Sequence, residues 1–333
     1  MAWMRRVFFA CGIAAAAALP AAAQQSAAAE PSPALSLIFE NDVFFNEDRD
    51  YTNGIELTYT TRPSQNVDAM VSLARALPLF ADHGLVRTSY SLGQSIFTPK
   101  HTELAVPLPT ERPYAGYLYA TLGLIEANPD RLDQLSVQIG VVGPMALAKE
   151  SQDWVHSIID DTKPKGWHYQ LHNEPAFNVT YDRSMKLIPP QSLLGLVLDV
   201  EPHFGGAVGT VYDYANAGAM VRLGFNLPDD FGPPRIEPNL PGTSYFEPNG
   251  GFSLYAFAGV DGRAVARNIF LDGNTWRDSP SVDKYWAVGD LTLGAAMTLS
   301  GVRVAFTHVF RTREYKTQDK SSQFGAVNVS FRL

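Results

Sequence analysis

Cysteine is almost missing from this chain. The single one, Cys11, lies early in an apolar N-terminal run that continues after it, so it is not placed as a lipid-attachment cysteine. Downstream of that run there are neither disulfides nor thiolate metal ligands. Long hydrophobic runs are missing too. Nothing after residue 23 is long and apolar enough for a membrane-spanning helix, which needs ~20 apolar residues. Positive charge is scarce: 26 Lys and Arg stand against 34 Asp and Glu, a net charge of −8. Such an acidic chain is a poor partner for nucleic acid, and no nucleic-acid binding is expected. Familiar catalytic signatures are lacking as well, with no G-x-S-x-G elbow, no H-E-x-x-H and no P-loop. Ser95 and Ser157 are present, but nothing marks either as a nucleophile.

What is present begins with an export signal. Arg5 and Arg6 form a positive n-region, Val7 to Leu19 an apolar h-region, and Ala21-Ala22-Ala23 a small-residue cleavage site. Residues 1–23 are therefore expected to be a signal peptide, with the mature chain starting at Gln24. Loss of Arg5 and Arg6 takes the net charge from −8 to −10. Residues 24–34, rich in Ala, Ser and Pro, read as a short flexible leader.

From Leu35 onward about twelve segments alternate with period two over roughly ten residues each, the length of a tilted membrane-spanning strand. They lie near 35–41, 51–61, 88–97, 114–126, 132–143, 174–186, 192–206, 215–227, 251–270, 286–299, 301–313 and 322–333. In the fifth, Leu135, Val137, Ile139 and Val141 share one face, and Gln134, Ser136, Gln138 and Gly140 the other. A soluble sandwich would turn the apolar face inward and a membrane barrel would turn it outward. Periodicity does not separate these two. The strand length, the even count and the amphipathic C-terminal strand favour the barrel. The expected fold is all-β: a twelve-stranded antiparallel transmembrane barrel over 35–333, with a short helix in an extracellular loop. Outer loops are expected near 42–50, 98–113, 144–173, 207–214, 271–285 and 314–321. Turns are expected near 62–87, 127–131, 187–191, 228–250 and 300–301. The first turn has helical spacing (Val67, Met70, Val71, Ala74, Leu77), and the Pro-rich 228–250 is expected to form an irregular plug or lip.

The unusual residues gather in the outer loops. At the tip between the first two strands, Asn41, Asp42, Asp48, Asp50 and Thr52 offer the oxygen ligands that a hard cation such as calcium takes. The same residues suit a solvated turn. The loop 98–113 brings Lys100 and Arg112 to the rim, side chains suited to phosphate. In the loop 144–173, Lys149 to Asp160 has helical spacing, with Trp154, Val155, Ile158 and Ile159 as an apolar stripe and His156 off it. Gln152 and Asp160 lie four residues to either side of His156, so both neighbour it on a helix surface. A carboxylate such as Asp160 would orient the imidazole as a general base. Gln170 and Glu174 sit in a polar cluster at the mouth of the sixth strand and, with Lys100 and Arg112, are expected to bind substrate.

Several motifs follow one another in order: Asn41-Asp42; Asp50-Tyr51-Thr52-x-Gly54; Gln94-x-Ile96-Phe97-Thr98-Pro99; Arg112-Pro113-Tyr114-Ala115-Gly116; Ile139-Gly140-Val141-Val142-Gly143-Pro144; and His156 through Gln170-Leu171-x-Asn173-Glu174-Pro175. Together they resemble the outer-membrane lipid A 3′-O-deacylases, the LpxR family, over residues 35–185. The resemblance implies a monomeric outer-membrane enzyme whose partners are lipid A, or lipopolysaccharide, and the surrounding outer-membrane lipids. It implies removal of the 3′-linked acyloxyacyl chain with a calcium cofactor. It places Asn41, Asp42 and Thr52 at the metal and oxyanion region, with Asp50 beside them, and makes His156 the base that activates water. There is one departure. The acid that follows the family's histidine by six positions is Thr162 here, and Asp160 or Asp161 would have to replace it.

Overall fold

The computed structural model describes residues 30–45, 50–76, 78, 80, 84–160, 162–193, 195–236, 245–246 and 251–333. The expected signal peptide and most of the expected leader lie outside the described residues, as do Asp48 and Asp161.

Thirteen strands form one antiparallel sheet. They are β1 (Ala34–Asn41), β2 (Asp50–Thr60), β3 (Leu85–Thr98), β4 (Ala115–Asn128), β5 (Arg131–Val142), β6 (Glu174–Met185), β7 (Ile188–Leu193), β8 (Leu196–Gly209), β9 (Tyr212–Phe225), β10 (Phe252–Asn268), β11 (Ala287–Leu299), β12 (Val302–Arg311) and β13 (Ser322–Arg332). Twelve of them close a barrel. β1 pairs with β13 from Ala34↔Arg332 to Asn41↔Gly325, and β6 pairs with β8 from Asn178↔Gly209 to Ser184↔His203. The short β7 pairs only with β8, from Ile188↔Val200 to Leu193↔Leu196. The chain after β6 therefore continues along β8 past 187–191, where a turn is expected, and reverses only between Leu193 and its partner Leu196. Pro189 and Pro190 interrupt this extension: they donate no ladder bond, which confines them to an edge or a bulge. The register shift in the pairing falls between Ile188 and Gln191.

The barrel is inside out relative to a soluble β protein. Leu57, Leu92, Ile139, Phe177 and Val260 are exposed, while Ser36, Thr58, Glu126, Asp199 and Arg303 are buried. A continuous exposed apolar wall around a polar lumen is stable in lipid and a liability in water. No described helix is long and apolar enough to span a membrane.

One end carries tight turns, such as Ser300 and Gly301, both at positive φ as a two-residue hairpin requires. The other end carries the long loops. The turn between β2 and β3 contains α1 (Asp68–Ala76), where Ala74 packs with Phe80, Val86 and Leu124. The Pro-rich stretch after β9 turns back into the lumen as a plug. Its Asp230 is fully buried and accepts from Arg222 and Arg303 at 2.6 Å each. Five residues later Arg235 donates to Glu40 at 2.6 Å. Arg303 also reaches Ser330, which bonds Ser36. The plug therefore climbs from the level of Ser36 to that of Glu40, ~13 Å at strand rise. Nearer the loops, Tyr51, Phe97, Tyr117, Tyr212, Phe270 and Phe324 form an aromatic layer across the lumen. Phe270 belongs to a single helical turn, α3 (Ile269–Asp272), and stacks on Phe97 at 4.0 Å. The outer loop 144–173 holds α2 (Ala148–Ile159), the expected short helix.

Candidate active site

The tips of β1 and β2 bring four of the expected residues together. Asn41 pairs with Asn53 of β2 and with Gly325 of β13. Asp42 follows it into a 3-10 turn (Asp42–Phe45) and is buried. Phe44 fixes that turn to the outer wall, edge-on to Phe39 at 6.1 Å and to Phe306 at 6.0 Å. Thr52 occupies a register shift between Tyr51 and Asn53. Such a bulge re-aims side chains, and here both Tyr51 and Thr52 are buried. The Thr52 hydroxyl lies 2.7 Å from that of Thr98 on β3.

Asp50 takes a more structural part than a metal ligand would. It stands at φ 69° and is buried. One carboxylate oxygen accepts from the Tyr315 hydroxyl at 3.2 Å, and the other from Gln318 at 2.9 Å and Ser322 at 3.1 Å. Asp50 thus pins the loop 314–321 to the barrel mouth. Burial, and then the Asp50 charge, push the Tyr315 phenol well above its ordinary range, so it stays a donor.

α2 carries the second half of the site. Trp154 and Ile158 face outward, while Gln152 and His156 are buried. The polar stripe is thereby turned to the protein and the apolar one away from it. Three strand residues, with Tyr114 just before β4, hold it there. Gln94 donates to the carbonyl of Ala146 at 2.6 Å. Ile96 and Tyr114 pack with Ala148 and Trp167. Gly116 lets the helix approach, since a Cβ at that position would lie 2.5 Å from that of Ala148. Trp167 packs against Tyr114 with tilted rings, 4.9 Å between centroids, and donates to Gln152 Oε1 at 2.9 Å. The other amide atom, Gln152 Nε2, is buried without a hydrogen-bond partner. It lies one turn from His156, where i and i+4 side chains meet. Sequence spacing marks Gln152 as a neighbour of His156; its open buried donor is visible only in the structure.

His156 Nδ1 lies 2.7 Å from the backbone carbonyl of Thr162. A carbonyl only accepts, so Nδ1 carries the hydrogen and the neutral ring presents its lone pair on Nε2. This answers the departure at residue 162: the main chain of Thr162 fills the orienting role, and Asp160 does not. Asp160 is exposed at the helix end in the left-handed conformation (φ 59°), its backbone N–H returning to His156 O. That turn sends the chain back toward the imidazole.

The expected substrate-binding residues go elsewhere. Lys100 pairs with Asp319 at 2.7 Å between two exposed loops. Arg112 is buried, 3.3 Å from Glu314 and over the Phe97 ring at 4.8 Å, inside the mouth and away from the surface. Glu174 is buried and accepts from Asn274 and from the backbone and hydroxyl of Thr275, clamping the loop 271–285. Gln170 is half-buried beside Trp167, whose carbonyl its N–H reaches at 3.3 Å.

Among the described residues, no three His, Cys, Asp or Glu side chains gather as a metal cluster. The strand-tip set of one carboxylate, one amide and one hydroxyl is all hard oxygen. That chemistry fits calcium, and not zinc or a softer metal.

Comparison with known proteins agrees with this architecture. The family described as "Outer membrane protein LpxR" matches residues 7–333. The chain belongs to the LpxR family. LpxR from Salmonella typhimurium superposes with a TM-score of 0.72 at 22% identity, covering 90% of this chain and 100% of that one. The β-domain of the Bordetella autotransporter BrkA is more distant, with a TM-score of 0.44 at 7% identity, covering 92% and 100%. A sequence search among curated proteins finds no match. As a member of the LpxR family the protein resides in the outer membrane, and its barrel is an LpxR barrel. The family motifs also acquire local reasons. Gln94, Ile96, Tyr114 and Gly116 are the residues that hold α2 to the wall, and Phe97 and Thr98 join the aromatic layer and Thr52.

Proposed function

We propose that the protein is a calcium-dependent lipid A 3′-O-deacylase that hydrolyses the ester of the 3′-linked acyloxyacyl chain in the outer leaflet. The observation that carries this reading is His156: buried on α2, its Nδ1–H is held by Thr162 O and its Nε2 is left as a base. Nε2 takes the proton from an attacking water, a role that contributes about 10²–10⁴ in rate. Gln152 Nε2, one turn away, donates to the oxyanion of the tetrahedral intermediate. Asp42, with Asn41 and Thr52, would hold the calcium ion, which supplies Lewis-acid polarisation of the ester carbonyl. Return of the proton from His156 to the departing alkoxide completes the cleavage.

Two other readings fit less well. A narrow pore is opposed by the plug and the aromatic layer, which close the lumen at two levels. A serine phospholipase needs a nucleophile near His156, but the Ser157 hydroxyl donates to Asp153 O at 2.7 Å and is exposed. The deciding experiment is expression in an outer membrane of known lipid A, with and without calcium, followed by mass spectrometry of that lipid. Loss of one acyloxyacyl group only with calcium, abolished in both His156→Ala and Asp42→Ala, supports the proposal. An unchanged lipid A spectrum from a folded, heat-modifiable barrel overturns it.

A further inference from the structure

The outward face of α2 carries an uncovered apolar stripe, flanked by the exposed Glu150 and Ser157. Leu147 is 53% exposed, Trp154 67% and Ile158 59%, with Met145 at 62% just before the helix. The opposite face holds Gln152 and His156, turned to the protein. A helix on a water-soluble surface would put these stripes the other way round. The exposed stripe also continues an existing lipid surface: the outward row of β5, with Ile139 61% exposed, leads at the end of the strand into Met145 and Leu147. A tryptophan at that level is what membrane–water interfaces favour. A second copy of the chain is a poorer occupant. The stripe of a twelve-residue helix falls well short of the ~1,200 Å² that a stable protein interface buries.

We propose that α2 is seated in the outer leaflet, its stripe packed against the acyl chains of the surrounding lipid. A lipid ester then reaches His156 sideways from the bilayer, under the helix, and not from the aqueous side. The seat explains the facing of α2 and rests on the reading of the protein as a lipid esterase only for its consequence in catalysis.

Two measurements test it, one of them independent of activity. The full-length protein is reconstituted in vesicles of phosphatidylcholine brominated on the acyl chain, and its emission is compared with that of Trp154→Phe. Chain bromines should quench the Trp154 share of the emission; quenching of that share by aqueous acrylamide alone overturns the proposal. The second arm places charge in the stripe with Trp154→Glu and Ile158→Glu. Hydrolysis of bilayer-embedded lipid A should fall about tenfold or more, while a short-chain ester dispersed as monomers is cleaved at the wild-type rate. Substitutions that leave both rates unchanged, or lower both equally, overturn it. Wild-type protein that cleaves neither substrate sinks the deacylase reading and leaves the quenching result to decide the seat of α2.

Discussion

His156 is oriented by a peptide carbonyl, which fixes the tautomer without bringing a charge. The substitutions that matter are therefore different from those a His–carboxylate pair would suggest. His156→Ala is expected to lower turnover by about 10²–10⁴, whereas Asp160→Asn should leave the rate at wild type, because Asp160 points to solvent from the helix end. Equal losses in the two variants would return the orienting role to Asp160. Gln152 makes a sharper test, because its two amide atoms do different things. Gln152→Glu keeps an acceptor for the Trp167 indole and removes the idle donor, so turnover should fall about 10²-fold or more while the Trp167 hydrogen bond is kept. Gln152→Ala also leaves the buried Trp167 N–H unpaired, adding a stability loss of about 1–3 kcal/mol. Thermal denaturation and lipid A mass spectrometry, run on both variants, separate the two functions.

At the scale of elements, α2 is held to the wall by close approach at Gly116 more than by any strong bond. Gly116→Val would place a branched side chain where a single Cβ already lies 2.5 Å from that of Ala148. The helix must lift while the twelve-strand ladder stays paired. The expected result is a barrel that still shows heat-modifiable mobility on gels but has lost most of its deacylase activity; retained activity would place the helix outside the site. Much at this scale was legible in the sequence, and what was not has physical causes. Strand positions follow from period two, and all twelve expected segments lie on barrel strands with shifted ends. The seventh begins later than expected, at Leu196, because Pro189 and Pro190 imitate a turn while the chain runs on as an edge strand. α2 was legible as a helix from its spacing, but its facing was not. An apolar stripe says that a surface avoids water; whether it meets protein or lipid depends on where the helix sits. The bulge at Thr52 and the carbonyl of Thr162 leave no signature in composition or spacing, since both are backbone features. Asp50 was read as a cation ligand and Glu174 as substrate-binding from their place at strand tips; the donors from Gln318, Ser322 and Thr275, which tie loops to both carboxylates, leave no sequence signature.

For the whole molecule, the plug links the two ends of the barrel and gives two arginine–carboxylate contacts with separable consequences. Near the turn end, Asp230 neutralises Arg222 and Arg303 in a fully buried cluster. Removing one partner of such a cluster leaves uncompensated buried charge, which costs about 3–5 kcal/mol. Asp230→Ala should therefore unfold at lower temperature or urea concentration than wild type, yet deacylate lipid A normally while folded, because the site lies at the opposite end. Nearer the loops, Arg235 contacts Glu40, which is fully buried and immediately precedes Asn41 and Asp42 in β1. Arg235→Ala should carry a similar stability loss and, in addition, raise the calcium concentration needed for half-maximal activity, because the strand end that presents Asp42 loses its anchor in the lumen. The two variants are compared at a temperature where both barrels are folded, by urea titration and by activity across a calcium series. A calcium requirement raised in Arg235→Ala and unchanged in Asp230→Ala would show that the plug supports the site as well as the barrel. Matching calcium curves would reduce it to a structural fill that closes the lumen and does nothing for the chemistry above it.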